Sequence, residues 1–422
     1  MYRLELMEQV KLRTAPRATV AADWAIRIHP AVWTLGLTSF LTDISAEMVV
    51  SILPIYLVLQ LRMNPLEYGA IDGVYNGAAV ALLSLAAGLL ADRKCRHKET
   101  AAVGYSLSAL CKLLLLAGSA WGWIVALTAI DRVGKGTRTA PRDALISFYS
   151  SREALASSFA VHRAMDAAGS LVGPLIAFAL LSLVPGAFDA VWATSFFFAI
   201  LGLTILWLFI GKPASVMPTR VRPISLSQAF GLLSSRKFRV LIGAGALLSF
   251  VTISDGLLYM ALQQRSHLAI GFFPLFYVIT ACCYMTFSLP IGGLADSWGR
   301  GRVLLAGYGV VGLIYLILFF SPSLGHAGVV LCLSLFGLSY AATEGVLMAM
   351  ASAVIPAELR TSGLALLTTV AGLGKFGSSL LFGWLWHVSG LGTAISVFGF
   401  TLIVALMITA LWLQWTPDEI SV

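Results

Sequence analysis

Apolar positions in this chain fall into long unbroken runs, with short polar segments between them. About twenty apolar residues in helical form cross a bilayer core. On that rule the pattern predicts twelve spans, at 32–60, 67–91, 100–119, 122–146, 155–183, 190–211, 238–262, 271–294, 303–321, 326–354, 361–387 and 391–413. The predicted fold class is an all-α polytopic membrane protein with two bundles of six helices, 32–211 and 238–413. A segment at 212–237, with Pro213, Pro218, Pro223 and several basic residues, links them. Residues 1–31 and 414–422 form the tails. The first span carries Asp43 and Glu47, which separates it from the apolar stretch of a signal peptide.

Composition sharpens this picture. Hydrophobic residues make up 59% of the chain and charged ones 11%, with a mean hydropathy of +0.88. A water-soluble protein could not cover so much apolar surface. With both termini placed inside, 21 of the 28 Lys and Arg fall in inner segments, two (Arg62 and Arg265) in outer loops, and five within spans. This is the positive-inside pattern. It predicts a multi-pass protein of the cytoplasmic (inner) membrane with cytoplasmic termini. The net charge of +8 then reflects topology and contact with anionic lipid, with no nucleic-acid partner. Five cysteines lack metal-ligand spacing, so no metal site is predicted.

A short motif occurs twice. Gly88-Leu89-Leu90-Ala91-Asp92-Arg93 is followed by Arg96, and Gly292-Gly293-Leu294-Ala295-Asp296 by Gly299-Arg300, with the two aspartates 204 residues apart, close to half the chain. Such a period points to two repeated halves. Each aspartate ends a span, where it can meet the positive N-terminus of a helix from the opposite half. Asp92, Arg93, Arg96, Asp296 and Arg300 are therefore candidate gate residues. The alternative is that these charges anchor short loops at the headgroups.

Leaving aside the span ends that are counted with the loops (Glu67, Arg138, Arg142, Asp143 and Arg239), twelve charges lie within the spans: Asp43, Glu47, Asp72, Lys112, Asp131, Arg132, Lys135, Arg163, Asp166, Asp255, Glu344 and Lys375. Each costs at least about 2.5 kcal/mol at a lipid-facing helix centre, so they should face the interior. Seven acids and five bases nearly balance, and mutual neutralisation in buried pairs is the alternative to a transport role for each. Asp43 and Glu47 share a helix face, and His162 and Asp166 are likewise four apart. These four are the candidates for carrying protons. Positions 131, 135, 138 and 142 form one helical stripe. On it Arg132 and Lys135 are candidate contacts for an anionic group, while Arg138 and Arg142 read as interfacial or paired with Asp143. Lys112, Arg163, Asp255, Glu344 and Lys375 complete the candidate binding set, with Lys375 expected to pair with Glu344 or Asp255. Ser249-Phe250-Val251-Thr252 before Asp255 echoes Ser39-Phe40-Leu41-Thr42 before Asp43, as a repeat would require. Gly169, Gly173 and Pro174 form a close-packing element. The glycines around Lys375 lack the strand–loop–helix context of a phosphate loop, so neither ATP nor another cofactor is implied.

Over nearly its whole length the chain resembles the major facilitator superfamily, whose hallmark is the repeated loop motif. Cys95 stands where that motif usually has glycine. Asp131-Arg132-Val133-Gly134-Lys135-Gly136 with Arg138 and Pro141-Arg142-Asp143 is similar to a signature of one bacterial and archaeal permease group. His162-Arg163-Ala164-Met165-Asp166 and Thr343-Glu344-Gly345 resemble the same group. Gly169 to Pro174 resembles the superfamily's antiporter motif, although Ala177-Phe178 replaces its final glycine pair. The resemblance implies a secondary transporter, not an enzyme, working by alternating access. The expectation is proton-coupled efflux, by antiport, of a small anionic or zwitterionic organic solute. Its partners would be that solute, protons and membrane lipid, and the chain would act as a monomer. The alternatives are proton-symport uptake of an organic acid or siderophore-like metabolite, and multidrug efflux of lipophilic cations.

Overall fold

The computed structural model describes residues 28–76, 97–118, 120–150, 155–211, 231–266, 268–356 and 360–414. The first copy of the loop motif, with Asp92, Arg93 and Arg96, lies outside the described residues, as do 1–27 of the N-terminal tail, 212–230 of the linker and 415–422. The first half contains α1 (Pro30–Ile55), α2 (Pro65–Asn76), α3 (His97–Leu115), α4 (Trp121–Tyr149), α5 (Leu155–Leu183) and α6 (Phe188–Phe209). The second contains α7 (Arg236–Phe250), α8 (Asp255–Ser266), α9 (Pro274–Trp298), α10 (Arg300–Phe320), α11 (His326–Val354), α12 (Arg360–Ser389) and α13 (Leu391–Gln414). No strand occurs among the described residues. Nine helical stretches among them are long and apolar enough to cross a membrane. The stretch containing α4 is not one of the nine, because six charges interrupt it between Asp131 and Asp143. Leu183, Leu289 and Phe320, at 80%, 85% and 74% exposure, are among many large apolar side chains on the outside, where lipid is the solvent. The architecture is a two-half, twelve-span α-helical membrane fold, with α7 and α8 together making one span.

α1 is the hub of its half, packed along α5 and α6. The contact with α5 depends on the two glycines read from sequence. A Cβ on Gly169 would lie 2.5 Å from the Phe40 carbonyl oxygen, and one on Gly173 2.7 Å from that of Ile44. Backbone therefore meets backbone, which places α5 side chains directly beside the charged face of α1.

One element departs from expectation. The run at 238–262 was expected as a continuous helix, but α7 stops at Phe250 and α8 starts at Asp255. The Val251-Thr252-Ile253 run favours extended backbone, and side chains from other helices take over the freed backbone groups. Ile253 N–H donates to the Tyr315 hydroxyl of α10 at 2.7 Å, and Ser378 Oγ of α12 donates to the Thr252 carbonyl at 2.5 Å. Inside a membrane a break survives only with such replacements. The equivalent stretch of α1, Ser39 to Ser45, stays helical.

The halves meet mainly through α2 on α12 and through α5 on α9, toward the end carrying Pro65 and Phe272. There a Cβ on Gly69 or Gly383 would collide with the carbonyl oxygen of Ser379 or Pro65 respectively, and Phe178 packs on Phe272 with ring centroids 5.7 Å apart. At the opposite end Asp296 is exposed.

Gly169→Leu and Gly173→Leu should each destabilise the protein by about 1–3 kcal/mol through overpacking. Gly309→Leu, where a Cβ meets nothing within 4 Å, serves as the control. Thermal unfolding in detergent reads the difference; equal midpoints for all three variants would contradict the packing described.

Candidate functional site

A polar chain runs through the apolar first half, built from the faces of α1, α4 and α5. Arg138 Nη2 lies 3.4 Å from Asp43 Oδ1, and its guanidinium stacks over the Tyr105 ring at 4.6 Å from the centroid. One turn further along α4, Arg142 donates from Nε and Nη2 to Asp143 Oδ1 at 3.1 Å each. Its Nη1 donates to Ser39 Oγ at 3.1 Å and lies 3.6 Å from Asp166 Oδ1. Ser39 Oγ also meets His162 Nε2 at 2.9 Å. Asp43, Ser39, Arg138, Arg142, Asp166 and His162 thus connect three helices. The arrangement follows from spacing: residues 138 and 142 share a face of α4, residues 39 and 43 share one of α1, and 162 and 166 share one of α5.

This corrects the reading of Arg138 and Arg142 as interfacial. They are 4% and 9% exposed, because α4 runs on through Pro141 to Tyr149 and keeps both inside the bundle. The pairing of Arg142 with Asp143 is present. Sequence names Ser39 only as part of the repeated segment before Asp43 and does not single out Tyr105, since a serine or tyrosine in an apolar span carries no signal until its partner is in place.

The candidate Lys112 on α3 and the intramembrane Asp131 on the adjacent α4 form a pair at 2.7 Å with side chains 4% and 14% exposed. Lys112 is therefore engaged by Asp131. Arg132 is buried. Lys135 and Glu47 are half-buried, and neither side chain makes a hydrogen bond or ion pair among the described residues. The charges of Lys135, Asp43, Arg132 and, from the second half, Asp255 all act on Glu47. Glu47 of the first half is thus within electrostatic reach of Asp255 of the second. Arg163 is exposed on α5.

The second half contributes fewer charges and more phenols. The Tyr340 hydroxyl donates to Asp255 Oδ1. Lys375 Nζ lies 3.5 Å from Glu344 Oε1 and 5.9 Å from the Tyr340 ring centroid. Asp72, one of the twelve intramembrane charges but outside the candidate sets, accepts hydrogen bonds from Ser379 Oγ at 2.9 Å and the Tyr68 hydroxyl at 3.4 Å. Ser379 is 307 residues away on α12, so this contact joins the halves. Sequence offered the charge but not that partner. Asp296 pairs with Arg300 at 3.0 Å along its own chain segment, rather than with a helix of the first half.

The arrangement holds charge in a low-dielectric interior and leaves the side chains of one base and one acid, Lys135 and Glu47, half-buried without a hydrogen bond or ion pair among the described residues. That is what a binding site for a polar solute requires. Among the described residues it contains no nucleophile with a positioned base.

Removing one partner of a buried ion pair costs about 3–5 kcal/mol, because the other is left as an uncompensated charge. Lys112→Met should therefore destabilise by that amount, and Lys112→Met with Asp131→Leu should recover most of the loss. Thermal unfolding of the single and double variants measures both; a double variant as unstable as the single one would contradict the pairing.

The model of the Major Facilitator Superfamily matches residues 35–376 of the chain. An uncharacterized MFS-type transporter of Methanocaldococcus jannaschii is 31% identical over 363 residues, covering 85% of this chain and 89% of the relative. Among solved structures, the peptide transporter POT superimposes with a TM-score of 0.76 at 14% identity, covering 92% of this chain and 94% of that one. The nucleoside transporter NupG does so with a TM-score of 0.74 at 15% identity, covering 90% and 99%. These two share the fold. Family match, relative and architecture agree: this chain belongs to the Major Facilitator Superfamily and is a membrane transporter of that type.

Proposed function

We propose that the protein moves a small organic solute bearing a negative group, anionic or zwitterionic, across the cytoplasmic membrane by proton-coupled alternating access, in the direction of efflux by antiport. The observation that carries this reading is Lys135. It is a half-buried base on the charged stripe of α4, its ammonium without an ion pair or hydrogen bond among the described residues, and it acts on Glu47, which Asp255 of the second half also reaches. An ammonium held in that way is costly unless a partner arrives, and a solute carboxylate or phosphate is such a partner. Arg132, one residue after the Asp131 pair, adds a second base on the same helix.

Proton coupling is supported by the Asp43–Arg138 and Asp166–Arg142 contacts beside His162 and by Glu47. Carboxylates and a histidine chained through a serine can pass a proton while the arginines shift between partners. The efflux direction rests on the Gly169–Pro174 element and its likeness to the antiporter motif. With the basic segments inside, the end where α2 meets α12 is the outer one, and the state is open to the cytoplasm. Asp296 would reach the opposite half only when that side closes, which gives the Asp296–Arg300 pair its gate role, and Asp92, Arg93 and Arg96 the matching one. Zwitterions are favoured over simple anions by Asp255 and Glu344 on the second half.

The test is flux in proteoliposomes with an imposed pH gradient. The solute is first found by thermal-shift screening of anions, zwitterions and lipophilic cations. Stabilisation by anions or zwitterions is the expected result, and stabilisation by lipophilic cations alone would overturn the solute class. Lys135→Ala should lower kcat/KM about tenfold or more with folding intact. Asp43→Asn combined with Glu47→Gln should abolish the response of flux to the pH gradient. Unchanged gradient dependence in that double variant would move proton coupling elsewhere.

A further inference from the structure

The helices α1 and α4 run antiparallel and meet in rungs one turn apart. Ser39 of α1 meets Arg142 of α4 at 3.1 Å, and Asp43 meets Arg138 at 3.4 Å. One turn further along each helix, the same register brings Glu47 opposite Gly134 and Lys135. Gly134 is taken up by α3, since a Cβ there would lie 2.8 Å from the Gly104 carbonyl oxygen. Lys135 is then the side chain that answers Glu47, and its charge acts on that carboxylate more than any other. Yet this third rung is open. Both side chains are half-buried, and neither makes an ion pair or hydrogen bond among the described residues.

The backbones on either side of the gap are seated elsewhere. The Gly104–Gly134 contact holds α4 on α3. A Cβ on Gly173 of α5 would lie 2.7 Å from the Ile44 carbonyl oxygen and 3.1 Å from Glu47 Cβ, which holds α1 on α5. Neither helix can roll toward the other without breaking a backbone contact, so the gap is preorganised. The neighbouring charges are engaged among themselves. Arg138 holds Asp43, Lys112 holds Asp131, the Tyr340 hydroxyl donates to Asp255, and Glu344 faces Lys375. Of these, Asp43 and Asp255 act on Glu47, as does Arg132 of α4, while α5 presents glycine there. Val50, near Glu47 on α1, lines a cavity shared with Asp255 and Tyr277 of the second half. The open rung thus lies beside the place where the halves meet.

We infer that the gap between Glu47 and Lys135 binds the head group of an amino acid, with the solute carboxylate on Lys135 and its ammonium on Glu47. A bare anion would answer Lys135 and leave Glu47 an uncompensated charge; a lipophilic cation would do the reverse. A solute with ammonium and carboxylate on the same or neighbouring carbons answers both at once. The inference rests on the solute reading proposed above and narrows it: Glu47 of the first half holds the ammonium, while Asp255 and Glu344 keep the partners they have. Proton and solute ammonium are then alternatives for Glu47, so one carboxylate serves both.

The test uses full-length protein in detergent, with the twenty standard amino acids as probes and the melting temperature as readout. The amino acid that binds most tightly is then compared with its amide, which keeps only the ammonium, and its N-acetyl derivative, which keeps only the carboxylate. The expected result is a saturable rise in melting temperature with at least one amino acid. Both derivatives should bind about tenfold or more weakly, the loss of one charged contact. Glu47→Gln should weaken the amino acid by the same factor and the N-acetyl derivative not at all. Lys135→Met should weaken the amino acid and spare the amide. The derivatives are compared on the wild type, so the test stands even where a variant fails to fold. Absence of binding by all twenty overturns the inference. So does an N-acetyl derivative or an amide that binds as tightly as its parent. If the N-acetyl derivative does so and Lys135→Met abolishes its binding, the broader anion reading survives alone; if Lys135→Met leaves it intact, that reading falls as well.

Discussion

Charge in a medium that cannot solvate it is the constraint on which the rest of this structure depends. The chain places more than a dozen ionisable groups in its spans, and each must find an opposite charge, a hydrogen-bond donor or a water-filled space. The first half meets this by lining up three helices. α4 supplies arginines at one-turn intervals, α1 answers with Asp43 and Ser39, and α5 answers with Asp166 and His162. The glycines that let α5 backbone touch α1 backbone belong to the same solution, because a wider gap would leave the α5 groups out of reach of Arg142 and Ser39. Close packing and charge neutralisation therefore constrain each other here.

The second half solves the problem with fewer charges and with hydroxyls. Tyr340 donates to Asp255, Tyr315 accepts from the open backbone at Ile253, and Ser378 donates to the carbonyl of Thr252. The break between α7 and α8 survives through these partners. It frees the start of α8 to press Gly256 against Tyr68 and Asp72 across the interface. Repeated halves have thus diverged at equivalent places: α1 keeps its helix and holds Asp43 against Arg138, whereas its counterpart breaks and turns Asp255 toward the partner half. The asymmetry lies at the interface between the halves.

Much of this was legible in the order of residues. Spans at 155–183 and 326–354 coincide with α5 and α11, and most others agree to within a few residues, because twenty apolar residues in lipid have little choice but helix. The stripe on α4 and the shared faces of 43 with 47 and 162 with 166 were legible too, since helical periodicity fixes which residues of one helix point together. The Gly169 and Gly173 contacts followed from the absence of side chains where two backbones approach.

What the order of residues could not decide was every relation between helices. It left Lys112 a candidate for the solute, when α3 and α4 bring it to Asp131; it read Arg138 and Arg142 as interfacial or paired with Asp143, when α1 and α5 also enclose them. It gave no sign that Asp72 meets Ser379, 307 residues distant, or that the apolar run through residue 252 would break. Periodicity is a property of one helix and survives in the sequence, whereas a charge pair is a property of two helices and exists only at their distance of approach. The sequence by itself therefore determined the spans, the repeat and the face on which each charge sits. Tertiary packing alone decided which charges cancel and which remain to meet a ligand, because Coulomb energy depends on separations that only the assembled bundle sets.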